Sequence, residues 1–187
     1  MQIVPADRIS EVKEYYFSVK LKEIAQMNAN GANVINLGIG SPDLPPSPVV
    51  IDALEQCASN PKSHGYQPYV GTEQLREAFA AWYKKWYGVT LNCANEILPL
   101  MGSKEGIMHI SMAFVNKGDG VLVPNPGYPT YSSASKLVEA EILTYDLREG
   151  NGWQPDFDAL EKMDLEGVKI MWTNYPNMPT GASASEE

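Results

Sequence analysis

Apolar positions along the chain repeat with two different periods. Between residues 8 and 29, Ile9, Val12, Tyr16, Val19, Ile24 and Met27 fall near helical spacing, and Gly31 follows as a stop. A short apolar run, Val34 to Leu37, comes next. Residues 41–48 then place four prolines in eight positions, a stiff extended connection and the expected boundary between two parts of the chain. A helix is predicted over Val49–Ser59. The cleanest helical pattern covers 72–87, where Leu75, Phe79, Trp82 and Trp86 share one face, Thr72 can cap the start and Gly88 can end it.

From residue 97 onward short apolar runs alternate with helical stretches. Strands are predicted at Ile97–Met101, Val121–Val123, Glu141–Leu147 and Val168–Thr173. Helices are predicted at Lys104–Phe114, 129–138 and Phe157–Met163. Such alternation argues for βαβ units and an α/β fold, a three-layer α/β/α arrangement around a mainly parallel sheet. Ligands bind such sheets outside the carboxyl ends of the strands. Three loops rich in Gly, Pro and Asn follow strand-like runs there: 102–106, 124–129 and 174–181.

Composition narrows the possibilities without choosing among them. With 187 residues, 44% apolar and 20% charged, the chain has ordinary globular proportions. A formal charge of −9 offers no footprint for nucleic acid or an anionic membrane. There is no leader-like start, and no apolar run approaches the roughly 18 residues of a membrane span. A cytoplasmic protein is expected. Cys57 and Cys93 form no ligand motif and are expected as buried, reduced thiols. His64 and His109 lack partners at metal-ligand spacing. Glu186 and Glu187 are expected as solvated terminal charges.

The loops carry the chemistry. Gly102-Ser103-Lys104 lies where a strand passes into a helix, so first-turn N–H groups and the Ser103 hydroxyl can meet an anion. An ordinary capped helix has the same residues. The spacing matches neither a Walker loop nor a dinucleotide loop. Tyr128, held between Gly127 and Pro129, can cover a planar ligand or simply pack. Asn177 can aim its amide at a ligand oxygen or bond its own backbone.

Taken in order, five segments resemble the class I/II aminotransferases, the fold type I enzymes dependent on pyridoxal phosphate. They are Ile35-Asn-Leu-Gly-Ile-Gly-Ser-Pro-Asp43, Tyr66-Gln-Pro-Tyr-Val-Gly71 with Leu75-Arg76-Glu77-Ala78, Gly102-Ser-Lys-Glu-Gly-Ile107, Gly118-Asp-Gly-Val-Leu-Val-Pro-Asn-Pro-Gly-Tyr-Pro-Thr-Tyr131 and Asn174-Tyr-Pro-Asn-Met-Pro-Thr-Gly181. The chain looks most similar to the aspartate and LL-diaminopimelate type. The resemblance implies that Ser103 and Lys104 hold the cofactor phosphate and that Tyr128 stacks on its ring. It further implies that Gly40 meets the substrate carboxylate and that Tyr66 reaches the cofactor phosphate of a neighbouring subunit in a homodimer. Substrates would be an amino acid and a 2-oxo acid. Residues 1–45 would form an N-terminal arm and the start of a small domain, and 46–187 the first part of a cofactor-binding large domain.

Two departures from the family pattern stand out. Where the family has an Asn that bonds the cofactor's 3′-oxygen, this chain has Met178, and a thioether donates nothing. Either that contact is lost or Asn177 supplies it. The family's Schiff-base lysine, pyridine-pairing Asp and carboxylate-binding Arg lie beyond the Pro-Thr-Gly turn, so no catalytic residue is expected among these 187. The expected function is therefore the N-terminal half of an aminotransferase. The alternatives are a non-catalytic phosphate-binding or interaction module, or a C–S lyase or decarboxylase of the same fold. In the first case the sheet would expose an edge and a face, giving poor solubility or tight association.

Overall fold

Two kinds of element dominate: helices without a core in the first half of the chain, and a covered parallel sheet in the second. The computed structural model describes residues 3–10, 12, 14–38, 40 and 42–185. The expectation for Glu186 and Glu187, and the Ile39 and Ser41 positions of the first motif, lie outside the described residues. Residues 13–99 make one compact unit, and residues 1–12 with 100–187 make the other.

Residues 13–99 contain α1 (Tyr16–Ala29), α2 (Pro48–Ser59) and α3 (Glu73–Tyr87). Local rules account for α3. Thr72 Oγ1 accepts the Leu75 N–H at 3.3 Å, Glu73 and Lys84/Lys85 match the helix dipole, and Gly88 takes the left-handed φ of 69° that ends the helix. Helix α1 begins eight residues later than the period suggests. Among the described residues only a 3₁₀ turn at Asp7–Ile9 precedes it; Ile9 and Val12 stay exposed, so their burial does not offset the cost of helix nucleation. Val34–Leu37 is assigned to neither a helix nor a strand. Cys57 is exposed on α2, contrary to the expected burial, and Cys93 is half-buried.

The other unit carries α4 (Ser103–Phe114), β1 (Gly120–Asn125), α5 (Pro129–Leu137), β2 (Glu141–Asp146), α6 (Phe157–Leu160) and β3 (Val168–Met171). The sheet is parallel throughout, in the order β2-β1-β3. Its central strand is the apolar one. Val121 and Val123 face Ile107 and Val115 near α4 and Tyr131 and Ala134 on α5. Leu122 faces the opposite way, onto Tyr145, Leu147 and Leu160. Helices thus cover both faces, as the alternation of elements predicts. Gly120 is required where β1 meets β3, since a Cβ there would lie 2.9 Å from Val168 Cγ2.

Two predicted elements differ. Ile97–Met101 forms no strand: Pro99 cannot donate to a ladder, and Leu98, Leu100 and Met101 remain exposed. Helix α6 stops at Leu160, with one further turn in which the Met163 N–H reaches Leu160 O at 3.1 Å.

Candidate functional site

Parallel strands put their carboxyl ends on one edge, and the chain crosses back to the sheet so that a helix start lies there too. Helix α4 ends at Phe114 and a tight turn leads directly into β1, pinned by the Asn116 N–H to Asp119 Oδ2 bond at 2.7 Å. That bond also lowers the Asp119 pKa below the ordinary carboxylate value. Packed against the sheet with so short a return, α4 runs antiparallel to β1, and its N-terminus shares the edge with the ends of β1 and β3.

Ser103 and Lys104 occupy the first turn of α4 and are exposed. Gly102 precedes them at φ 110°, a conformation closed to side-chain-bearing residues, with open space where a Cβ would point. Glu105 turns back to accept the Met101 N–H at 2.5 Å, which directs its carboxylate to the backbone behind the helix start. Such a helix start suits a phosphate.

Tyr128 caps the beginning of α5, half-buried against the core. Gly127 beside it has no room for a Cβ, which would collide with the Pro124 carbonyl, so the turn presenting Tyr128 is tightly constrained. The Lys104 ammonium lies 5.9 Å from the centre of the Tyr128 ring. The Tyr128 ring meets Tyr131 edge-on at 5.8 Å, and Tyr131 stacks on Trp172 at 5.1 Å and 11°. An aromatic row therefore joins the end of β1 to the end of β3. Tyr145 supports it from below, donating its hydroxyl to Trp172 O at 2.7 Å, and burial pushes its phenol up to about 12. Burial also raises Tyr131 and Tyr175 above the ordinary tyrosine range.

The third loop is closed by Asn177, which is 2% exposed. Its Oδ1 accepts from Thr180 Oγ1 at 2.8 Å, its N–H donates to Ala182 O at 2.7 Å, and its carbonyl accepts from Gly181 N at 2.6 Å. The Nδ2 donor has no partner among the described residues. Met178 is half-exposed at 50%, with its N–H held by Asn174 Oδ1 at 3.1 Å.

The structure thus gathers Ser103, Lys104 and Tyr128 at one edge, with the Asn177 loop following β3 there. A helix start, a cation beside an aromatic face and a buried unspent donor fit a planar ring that bears a phosphate and an oxygen. Gly40 and Tyr66 belong to the other unit, where both are exposed. His64 and His109 are exposed, and no group of three His, Cys, Asp or Glu side chains converges among the described residues. Sequence reasoning did not single out Trp172 or Thr180. A large aromatic at a strand end and a Thr three residues after an Asn were the available signals. Among the described residues no helix is long and apolar enough to cross a membrane.

Comparison with known proteins shows the family and the fold. Residues 32–187 match the family model described as aminotransferase class I and II. Transaminase BacF of Bacillus subtilis is 44% identical over 184 residues, covering 98% of this chain and 46% of that protein. An LL-diaminopimelate aminotransferase of Dehalococcoides mccartyi is 44% identical over 177 residues, covering 95% and 46% respectively. The apo-BacF structure superposes with a TM-score of 0.90 over 99% of this chain and 47% of its own, at 44% identity. Alanine aminotransferase from Pyrococcus furiosus gives a TM-score of 0.88 at 27% identity over 98% of this chain and 47% of its own. The chain spans about half the length of the curated relatives it matches.

Proposed function

The chain belongs to the class I and II aminotransferases, and from that premise we propose that it provides the phosphate- and ring-binding part of a pyridoxal-phosphate-dependent aminotransferase. The reaction would move an amino group between an L-amino acid and a 2-oxo acid. Diaminopimelate, which names several relatives, is the first donor to try. The observation that supports the reading best is the Lys104 ammonium 5.9 Å from the Tyr128 ring at the start of α4.

When bound, pyridoxal phosphate supplies an electron sink for proton and amino-group movement at the substrate Cα. The residues of this chain hold and orient it. The Ser103 hydroxyl and the first-turn amides of α4 bind the phosphate, and Lys104 adds positive charge beside it. Tyr128 covers one face of the ring and excludes water from it. Gly40 offers its backbone N–H to the substrate carboxylate. Tyr66 reaches the phosphate bound by a neighbouring subunit, so the working form is a homodimer. None of these residues is assigned as the Schiff-base lysine, and the division at 45/46 into a small-domain part and a large-domain part belongs to the same reading.

Calorimetric titration of the purified chain with pyridoxal 5′-phosphate tests it. Saturable binding that inorganic phosphate competes away, weakened about tenfold by Ser103→Ala, is expected. Borohydride treatment followed by peptide mapping should trap no single lysine. Binding indifferent to both phosphate and Ser103→Ala would overturn the cradle, and a stoichiometric adduct at one lysine would overturn the reading that none of these lysines forms the Schiff base.

A further inference from the structure

Strand β2 lies at one edge of the sheet and pairs only with β1 among the described residues. Its odd-numbered positions turn their backbone groups inward. The Glu141 N–H donates to Asp119 O at 2.9 Å, and just past the strand the Leu147 N–H donates to Asn125 O at 2.8 Å. Backbone groups alternate in direction along a strand, so Ile142, Thr144 and Asp146 turn theirs outward. Proteins usually close such an edge with a proline, a bulge or a lysine. Strand β2 has none of these, and its register with β1 runs unbroken from Glu141 to Asp146.

A cavity of about 250 Å³ opens beside its carboxyl end, and Thr144, Asp146, Arg148, Asp156, Leu160 and Met163 are among its walls. Tyr145 packs with Leu160 and Met163 on the α6 side of the sheet, so Thr144 and Asp146 direct their side chains to the other side. A cavity that touches residues of both sides wraps around the edge, against the outward backbone groups. Leu160 and Met163 give it an apolar wall. Its charges are two carboxylates and one guanidinium. Asp146 Oδ1 accepts from Asn125 Nδ2 and Asp156 Oδ1 from the Ala159 N–H, each at 3.0 Å. Arg148 reaches Asp146 Oδ2 at 3.4 Å, a long contact between exposed groups that an incoming cation can displace.

The charges decide what can lie along the edge. Strand β2 reads Glu-Ile-Leu-Thr-Tyr-Asp, acidic at both ends. A second copy laid antiparallel and in register would set Glu141 opposite Asp146 at each end, and a parallel copy would set each acid against itself. Both arrangements oppose like charges, whereas a strand with lysine or arginine at its ends meets opposite ones. We propose that the β2 edge and its cavity form a docking site for an extended, basic segment of a partner protein. The segment's backbone continues the sheet at Ile142, Thr144 and Asp146. A basic side chain enters the cavity, its stem against Leu160 and Met163 and its charge at Asp146 and Asp156. The walls of the site lie within residues 144–163, so the assignment is independent of the cofactor reading.

Labelled peptides titrated into the intact chain, followed by fluorescence anisotropy, make the test. One is Lys-Thr-Val-Thr-Val-Lys, blocked at its carboxyl end, and another replaces both lysines by glutamate. Two further versions of the lysine peptide carry N-methyl groups on one or the other alternating set of backbone nitrogens. Saturable binding of the lysine peptide is expected, about tenfold tighter than that of the glutamate peptide. Only one of the two N-methylated sets should abolish it, because only alternate residues of an added strand turn their backbone groups to β2. Asp156→Asn keeps an oxygen for the Ala159 N–H while removing the charge, and should weaken the lysine peptide about threefold. A thermal melt establishes that this variant folds, and Asp146→Asn serves in its place if it does not. Equal binding of the lysine and glutamate peptides, equal loss from both N-methylated sets, or no saturable binding at millimolar peptide would overturn the site. Unchanged affinity in the Asn variant would overturn the cavity as the seat of the basic side chain. Peptide binding that fades as the chain self-associates would give the edge to a second copy and overturn the proposal as well.

Discussion

Residues 13–99 hold the clearest amphipathic helix of the chain, and residues 100–185 hold its plainest strands, yet only the second stretch buries what it makes. Among the described residues all ten buried hydrophobic side chains fall between Ile107 and Leu160. In the first stretch Leu75, Phe79, Trp82 and Trp86 line up on α3 and stay at least 40% exposed. The difference separates two things that a hydrophobic pattern encodes together. Capping and periodicity suffice to define a helix. Burial needs an opposing surface, and only the sheet has one among the described residues.

The largest effect should come from the buried side of this comparison. Leu122 is 1% exposed, and Leu122→Ala should destabilise the unit by roughly 3 kcal/mol, accelerating amide exchange throughout β1–β3 while leaving α1–α3 unchanged. If α1–α3 responded equally, the two stretches would be one cooperative body and the contrast would fail.

A smaller effect sharpens the picture within the buried unit. Removing the Tyr145 hydroxyl strands the Trp172 carbonyl, so Tyr145→Phe should cost about 1 kcal/mol at neutral pH. Its pH behaviour has a definite sign. The folded phenol titrates near 12 against an ordinary value of 10.0, so the unfolded chain releases its proton first. Stability is full below about pH 10 and falls as pH rises through 12. Denaturant melts between pH 8 and 11.5 should show that decline, and it should be shallower in the Phe variant.

The smallest effect on stability belongs to the exposed helix. Trp82→Gln should change unfolding free energy by less than about 0.5 kcal/mol, while clearly reducing self-association in light scattering. A large loss of stability would mean that the α3 stripe already has a partner.

Legibility in the sequence followed the same division. Helix α3, the parallel strands and the position of Ser103 and Lys104 at a helix start were readable because a cap, a period or a glycine ahead of a helical period marks each locally, although the strand expected before Gly102 is not formed. Ile97–Met101 was misread because its alternation presupposes a neighbouring strand, and Pro99 with its exposed neighbours shows none. Asn177 was recognised as a turn residue facing two possible roles. Its burial, and the unspent nitrogen that burial creates, depend on Thr180 and Ala182 folding back over it. No spacing rule foretells that. The Tyr128–Tyr131–Trp172 row was likewise invisible, since it joins the ends of strands separated by more than forty residues.

That row has an optical consequence. With neighbouring ring centres 5.8 and 5.1 Å apart, light absorbed by Tyr128 passes efficiently to Tyr131 and on to the indole of Trp172. The protein thereby carries its own antenna. Excitation gathered at Tyr128 is emitted from the indole at the far end of the row, and a chromophore lying against Tyr128 would intercept that energy on the way.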